Sequence, residues 1–306
     1  MRDKLSNPII AGALALLCCL LGASTFPCVK LGYEWLHIDS VGSQILFAGY
    51  RFFLAGILAF VLGGILERKI LTIKRKNILA MLGQGTLQTT IQYFCFYIGM
   101  ASVSGAKGSI IYASNAFLTI LAANFMLKDE KMTSKKWAGC FLGILGVIVV
   151  NLVPGAWGNG FSLKGEGMML LCALAYGISS VTLKKLSGKE SALTITTYQL
   201  LFGGGLLILI GKIFGGYVES FTIKAVLLLL YMAFVSVATV SIWVTLLRYN
   251  PVGKIAVYTF SIPVFGVFLS GMLLEENVLS MRNFAALLLV SAGIILINKS
   301  HNHIKD

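Results

Sequence analysis

The sequence predicts an all-α integral membrane protein whose ten transmembrane helices form two inverted five-helix repeats. Three observations predict it. The chain of 306 residues is 57% hydrophobic and only 12% charged, with a mean hydropathy of +0.86, far more apolar than a soluble domain of that size. Its apolar residues fall into ten runs, each near the roughly 20 residues a helix needs to cross a hydrocarbon core about 30 Å thick. The second half of the chain also repeats the first.

The runs lie at 9–32, 41–66, 78–98, 108–127, 137–153, 165–183, 192–215, 225–247, 254–273 and 283–298, leaving almost no room for a soluble domain. The first begins like a signal peptide, with a basic flank and small residues after an apolar stretch. It reads as a span instead, because the apolar pattern continues through "TFPCVKLG" and the segment has a counterpart in the second half. A lipoprotein cysteine at Cys18 lacks the small residue expected before it in "LALLC".

The second span contains "LFAGYRFFLAGILAFVLGG", an apolar run interrupted by Arg51. Arg51 sits about ten residues in, roughly 15 Å deep at 1.5 Å per residue. Inserting an arginine there costs roughly 2.5 to 3.5 kcal/mol, and a guanidinium cannot escape by losing its proton. The twelve acidic residues all fall at span ends, in loops or in the tails, so none shares an apolar core with it. Compensation must come from backbone carbonyls, side-chain amides, cavity water or a substrate.

The third span is unusually polar, "GQGTLQTTIQYFCFY". Gln84, Gln88 and Gln92 recur every four residues along one face, with Thr89, Tyr93 and Tyr97 alongside. Lipid cannot satisfy a stripe of amides, so this face looks at protein or water. Interhelical hydrogen bonding is the alternative to a wet cavity. In the fifth span, "GCFLG" at 139–143 is a small-xxx-small face for close helix packing. Pro27 in the first span and Pro263 in the ninth each remove a backbone hydrogen bond, as flexing points or as static kinks.

The net charge of +13 is decided by its location. With the N-terminus inside, most of the 25 lysines and arginines fall in the tails and in loops 67–77, 128–136, 184–190 and 248–254. That is the positive-inside asymmetry, with both termini cytoplasmic. The run "ERKILTIKRKN" then reads as a membrane-facing loop and not as a nucleic-acid patch. All six cysteines lie within spans without metal or redox spacing, and the three histidines lie outside the apolar cores. With no acid in the spans either, neither a metal site nor a membrane-embedded enzyme is expected.

The repeat is carried by polar and glycine matches. The segment "YASNAFLTILAANFMLKDEKMTSKKWAG" from Tyr112 aligns with "YTFSIPVFGVFLSGMLLEENVLSMRNFA" from Tyr258, pairing Glu130 with Glu276 and Ser134 with Ser280. "LLGASTFPCVK" compares with "AYGISSVTLKK", and "YRFFLAG" with "YQLLFGG". Each half, 1–153 and 154–306, is thus one five-helix unit. An odd number of helices per unit forces the second copy upside down, and the charges agree: "KDEKMTSKK" reads as inside and "LEENVLSMRN" as outside. Inverted repeats of this kind belong to secondary transporters that rock around a site between the halves.

These residues resemble the EamA branch of the drug/metabolite transporter superfamily. The resemblance rests on the repeat, Gly22-Ala-Ser, "YRFFLAG", Pro263-Val264, and the acidic residues Glu130 and Glu276 at the ends of the fourth and ninth spans. Where the family usually has tryptophan before the glycine of the first span this chain has Leu21, and a position often held by proline is Phe117. The resemblance implies alternating-access transport, across the plasma (inner) membrane, of an amino acid or related metabolite, with export commoner than import. Amines, nucleobases and other drug-like metabolites are the alternative cargo; a non-transporting scaffold would not need a wet third span. No cofactor and no metal is implied, and a monomer or homodimer suffices.

In the resembling family the third, fourth, eighth and ninth helices line the cavity, with the first and sixth beside them. Carried over, this makes Gln88, Gln92, Tyr93 and Tyr97 lining residues, joined by Tyr112 and Asn115, Ser179, Thr239 and Trp243, and Tyr258. Arg51 has two open roles: tying the second helix to its neighbours, or holding a substrate carboxylate with its planar fork of donors. Its match in "YQLLFGG" is the uncharged Gln199, so the charge is not needed by the fold in both halves. The missing intramembrane carboxylates leave Glu34, Glu130 and Glu276 at helix ends as the groups for any proton coupling.

Overall fold

A computed structural model describes residues 5, 7–127, 132–151, 162–218 and 221–274, with isolated residues between 281 and 296. The first span is α1 (Pro8–Trp35) and the second α2 (Val41–Glu67). The third is built from α3 (Ile78–Gln84), a π-helical turn (Gly85–Ile91) and α4 (Gln92–Ser102). The fourth comprises α5 (Gly105–Tyr112) and α6 (Ser114–Met126), and the fifth is α7 (Ser134–Asn151). A second π turn (Leu163–Gly167) leads into α8 (Met168–Ser187), followed by α9 (Ala192–Ile213) and α10 (Ile223–Tyr249). The ninth span is α11 (Val252–Ala256), a 3₁₀ turn (Val257–Ser261) and α12 (Ile262–Leu273). The expected tenth span, and Glu130 and Glu276, lie mostly or wholly outside the described residues.

Among the described residues all regular structure is helical, and six helices are long and apolar enough to cross a membrane. The caps are local chemistry. Asn7, Ser40, Ser191 and Thr222 each accept a backbone N–H of the first turn through a side-chain oxygen. Ser162 does the same for Gly165 N, while the Glu166 carboxylate takes Ser162 N at 2.9 Å. Large apolar side chains such as Ile65, Leu79 and Ile223 are exposed, whereas Arg51, Gln92, Thr196 and Gln199 are buried. Apolar outside and polar inside is the arrangement a hydrocarbon solvent selects.

The fourth and ninth spans are both interrupted, and at matching places: Ala113 separates α5 from α6, and the 3₁₀ turn covers the aligned stretch of the ninth. Pro263 follows that turn in the first positions of α12, where its missing N–H costs nothing. Pro27 instead stays inside a continuous α1.

The most extensive pairing in the described fold is α2 with α9. A Cβ on Gly49 would lie 2.6 Å from Ile208 N, one on Gly56 2.6 Å from Leu201 N, and one on Gly211 2.7 Å from Leu46 N. The numbers rise along one helix as they fall along the other, so α2 and α9 run antiparallel with their backbones in direct contact. The remaining contacts come in matched sets. α1 packs against α10 and α12, as α8 packs against α4 and α6. α2 also packs against α10, as α9 packs against the π turn of the third span. The "GCFLG" face behaves as its spacing suggests: Gly143 abuts the Phe260 ring, and Gly139 lies against Gly293.

Candidate functional site

Helices from both halves surround a central cavity with about 830 Å³ of empty space, the open solvent at its mouth included. Cys18, Cys19, Gly22, Thr25 and Phe26 come from α1; Gln88, Thr89, Gln92, Tyr93 and Phe96 come from the third span. Val235, Thr239, Val240 and Trp243 face them from α10. Arg51 and Gln199 enter from α2 and α9, Tyr112 and Tyr176 from α5 and α8, and Thr259 and Ile262 from the ninth span.

Of the residues expected on the wall, Arg51, Gln88, Gln92, Tyr93, Tyr112, Thr239 and Trp243 lie on it. Four do not. Tyr97 is fully buried behind the wall, packed edge-on against Tyr33, Phe47 and Phe96, with its hydroxyl accepting from Arg51. Asn115 is buried on α6, which the break at Ala113 sets off from α5 and packs against α8 and α11. Ser179 folds its hydroxyl back onto Tyr176 O at 2.9 Å. Tyr258 directs its hydroxyl at Gly12 of α1.

The π turn explains part of the third span. Gln84 is a tie and not a wall residue: its Nε2 donates to Ser179 O at 3.2 Å and to Gln88 Oε1 at 2.5 Å, and its Oε1 accepts from Thr182 Oγ1. Gln88 and Thr89 belong to the turn itself, and Gln92 follows it, donating to the Tyr112 hydroxyl at 3.4 Å. Thr90 Oγ1 donates to Gly203 O at 3.2 Å, fastening the widened turn to α9. Single π turns inside α-helices are often found at functional sites.

Arg51 is 2% exposed. Its Nε donates to Ser236 Oγ at 3.0 Å and its Nη1 to the Tyr97 hydroxyl at 3.3 Å. The guanidinium carbon stands 4.8 Å from the centre of the Phe52 ring and 5.8 Å from that of Tyr93. The compensation thus comes from hydroxyls and ring faces, not from the carbonyls and amides expected. Nη2 has no acceptor among the described residues, and the cavity lining contains no Asp, Glu, Lys or His.

Several other wall atoms lack partners among the described residues: both amide atoms of Gln199, Gln92 Oε1, Thr89 Oγ1 and Trp243 Nε1. Buried polar groups are normally paired, and these five are among twelve buried side-chain atoms without a partner in the described residues. Gln199 was visible in advance only as the counterpart of Arg51. Tyr176 takes the place of Leu21, beside the matched glycine, which is its signal in the sequence; Thr25, Thr259 and the two cysteines carry none.

A model of the EamA-like transporter family matches the chain twice, over residues 9–152 and 163–299. The chain is 28% identical over 237 residues to the uncharacterized transporter YetK of Bacillus subtilis, covering 76% of this chain and 71% of that protein. It is 24% identical over 295 residues to a probable amino-acid metabolite efflux pump of Escherichia coli, covering 92% of each. A chain of known crystal structure, 15% identical, superposes with a TM-score of 0.76 over 98% of this chain and 99% of that one, a likeness of fold.

Proposed function

The chain belongs to the EamA-like transporter family, and from that premise we propose that it is a secondary transporter exporting a small metabolite, an amino acid or related compound. It works across the plasma membrane by alternating access. Its halves, 1–153 and 154–306, are inverted five-helix repeats with both termini cytoplasmic, and a monomer or homodimer is sufficient. The cargo class draws on the efflux pump named above, and the inversion on the antiparallel course of α2 and α9, which carry "YRFFLAG" and "YQLLFGG".

One observation carries the reading: the cavity receives matched helices from both halves, with Arg51 and Gln199 contributed from the same motif position. A site shared by two inverted halves is reachable from either side when they rock. Counterflow of labelled amino acids into proteoliposomes tests it. Exchange of at least one amino acid is expected. Exchange confined to amines or nucleobases would replace the cargo, and no exchange of any of these by well-folded protein would remove the transport reading.

A further inference from the structure

We infer that the cargo is a monocarboxylate with a flat or bulky apolar body, and that Arg51 supplies its counter-charge inside the cavity; this rests on the transporter reading above.

The charge argument comes first. The guanidinium is anchored, not free: Ser236 Oγ accepts from Nε while donating to Met232 O at 2.8 Å, and Tyr97, whose backbone carbonyl takes the Tyr33 hydroxyl at 2.7 Å, holds Nη1. The anchors use one edge of the fork and leave Nη2 without an acceptor among the described residues. They are also neutral, and among the described residues no carboxylate lines the cavity, so the guanidinium charge stands there without a counter-ion. A buried cation without a counter-ion is unfavourable, and an entering carboxylate removes that penalty while an entering ammonium adds to it. One guanidinium without a second cation among the described wall residues matches a monoanion better than a phosphate dianion.

The shape of the wall supplies the rest. Phe26, Tyr93, Phe96, Tyr112, Tyr176 and Trp243 all line the cavity. They meet in chains of tilted and edge-on rings: Phe26–Phe96 at 5.3 Å, Tyr112–Tyr176 at 5.8 Å and Tyr176–Trp243 at 6.4 Å between centroids. Such a wall favours a ring or a bulky hydrocarbon. Zwitterionic amino acids and simple organic acids are both monocarboxylates in this sense.

The test uses four probes that share a phenyl ring on a three-carbon chain, phenylalanine, 3-phenylpropanoate, 3-phenylpropanamide and 3-phenylpropylamine, on purified wild-type protein in nanodiscs. Binding is read by isothermal titration calorimetry. At least one of the two carboxylates is expected to bind about 10- to 100-fold tighter than the amide, as hydrogen bonds to a charged group warrant, and the amine most weakly. In Arg51→Gln, which copies Gln199, that preference over the amide should vanish, while Arg51→Lys should retain part of it. Equal binding of amide and carboxylates, tightest binding of the amine, or no binding of any probe overturns the assignment without need of a variant. Flux of the bound probes in proteoliposomes is read separately: carboxylate binding without flux leaves the assignment standing and sinks the transporter reading.

Discussion

Arg51 and Gln199 occupy the same position in "YRFFLAG" and "YQLLFGG", and they reach one cavity from two antiparallel helices packed backbone to backbone. One is charged and anchored on hydroxyls; the other is neutral, with both amide atoms unpartnered. Equivalent positions of the two motifs thus hold different chemistry in one cavity, which makes Arg51→Gln and Gln199→Leu the variants that test the proposed site.

Gln199→Leu should separate function from stability. Its amide makes no hydrogen bond among the described residues, so removing it relieves a desolvation penalty of about 1 to 3 kcal/mol and sacrifices no partner. The expected result is an unchanged or higher melting temperature together with slower exchange in proteoliposomes. A parallel drop in both would mean that the amide has a structural partner after all.

What could be read in advance followed from the cost of polarity in hydrocarbon. Arg51, Gln88 and Gln92 had to face inward, because no lipid-facing placement satisfies them. The spans were legible for the same reason, and their ends differ by a few residues where caps such as Thr133 and Ser191 begin them. Rotation about each helix axis was not legible. The π turn at Gly85–Ile91 adds a residue to one turn, so Gln84 and Tyr97 end up as ties on either side of a wall that Gln88, Gln92 and Tyr93 form. The break at Ala113 does the same to Asn115 relative to Tyr112. Such phase changes arise from contacts with other helices, here Thr90 on Gly203, which no local pattern encodes.

The same phase change predicts opposite phenotypes for two neighbouring glutamines. Gln84→Leu strips Ser179 O and Thr182 Oγ1 of a partner and should lower stability by about 1 to 3 kcal/mol, read as a fall in melting temperature. Gln88→Leu removes a wall amide whose main internal partner is Gln84 itself, so it should reduce exchange more than stability. Indistinguishable stability losses in the two variants would return both residues to a purely interhelical role.

The glycine contacts give a sharper stability contrast. A Cβ at Gly204 would run into the backbone N of Phe53, which cannot swing aside, so Gly204→Ala should force α2 and α9 apart. Overpacking of this kind costs about 1 to 3 kcal/mol or more. Gly83, exposed on α3 with nothing within 4 Å of its Cβ position, should accept alanine with a gain of about 0.5 to 1 kcal/mol. Thermal unfolding of the two variants in the same detergent decides it; a stable Gly204→Ala protein would mean that the α2–α9 seam is looser than described.

The inversion itself is open to a labelling experiment at two matched residues. Extending the "YRFFLAG" and "YQLLFGG" alignment without a gap pairs Lys69, after α2, with Tyr217, after α9, and both are well exposed. The loop after α2 is fastened to the start of α9: Glu190 Oε1 accepts from Asn77 Nδ2 at 2.6 Å and from Lys74 N at 3.1 Å, and Lys74 Nζ reaches Lys189 O at 3.0 Å. The loop after α9 is fastened to the start of α2 at the other end of the pair, where Tyr217 N donates to Ser43 Oγ at 3.1 Å. Equivalent residues of the two motifs thus lie at opposite ends of one antiparallel pair, and the positive-inside rule predicts a cytoplasmic location for the end that carries the basic run around Lys69. In a background free of native cysteines, Lys69→Cys should react with an impermeant maleimide only from the cytoplasmic side, and Tyr217→Cys only from outside. Labelling of both from the same side would rule out inverted repeats and, with them, the symmetric rocking on which alternating access depends.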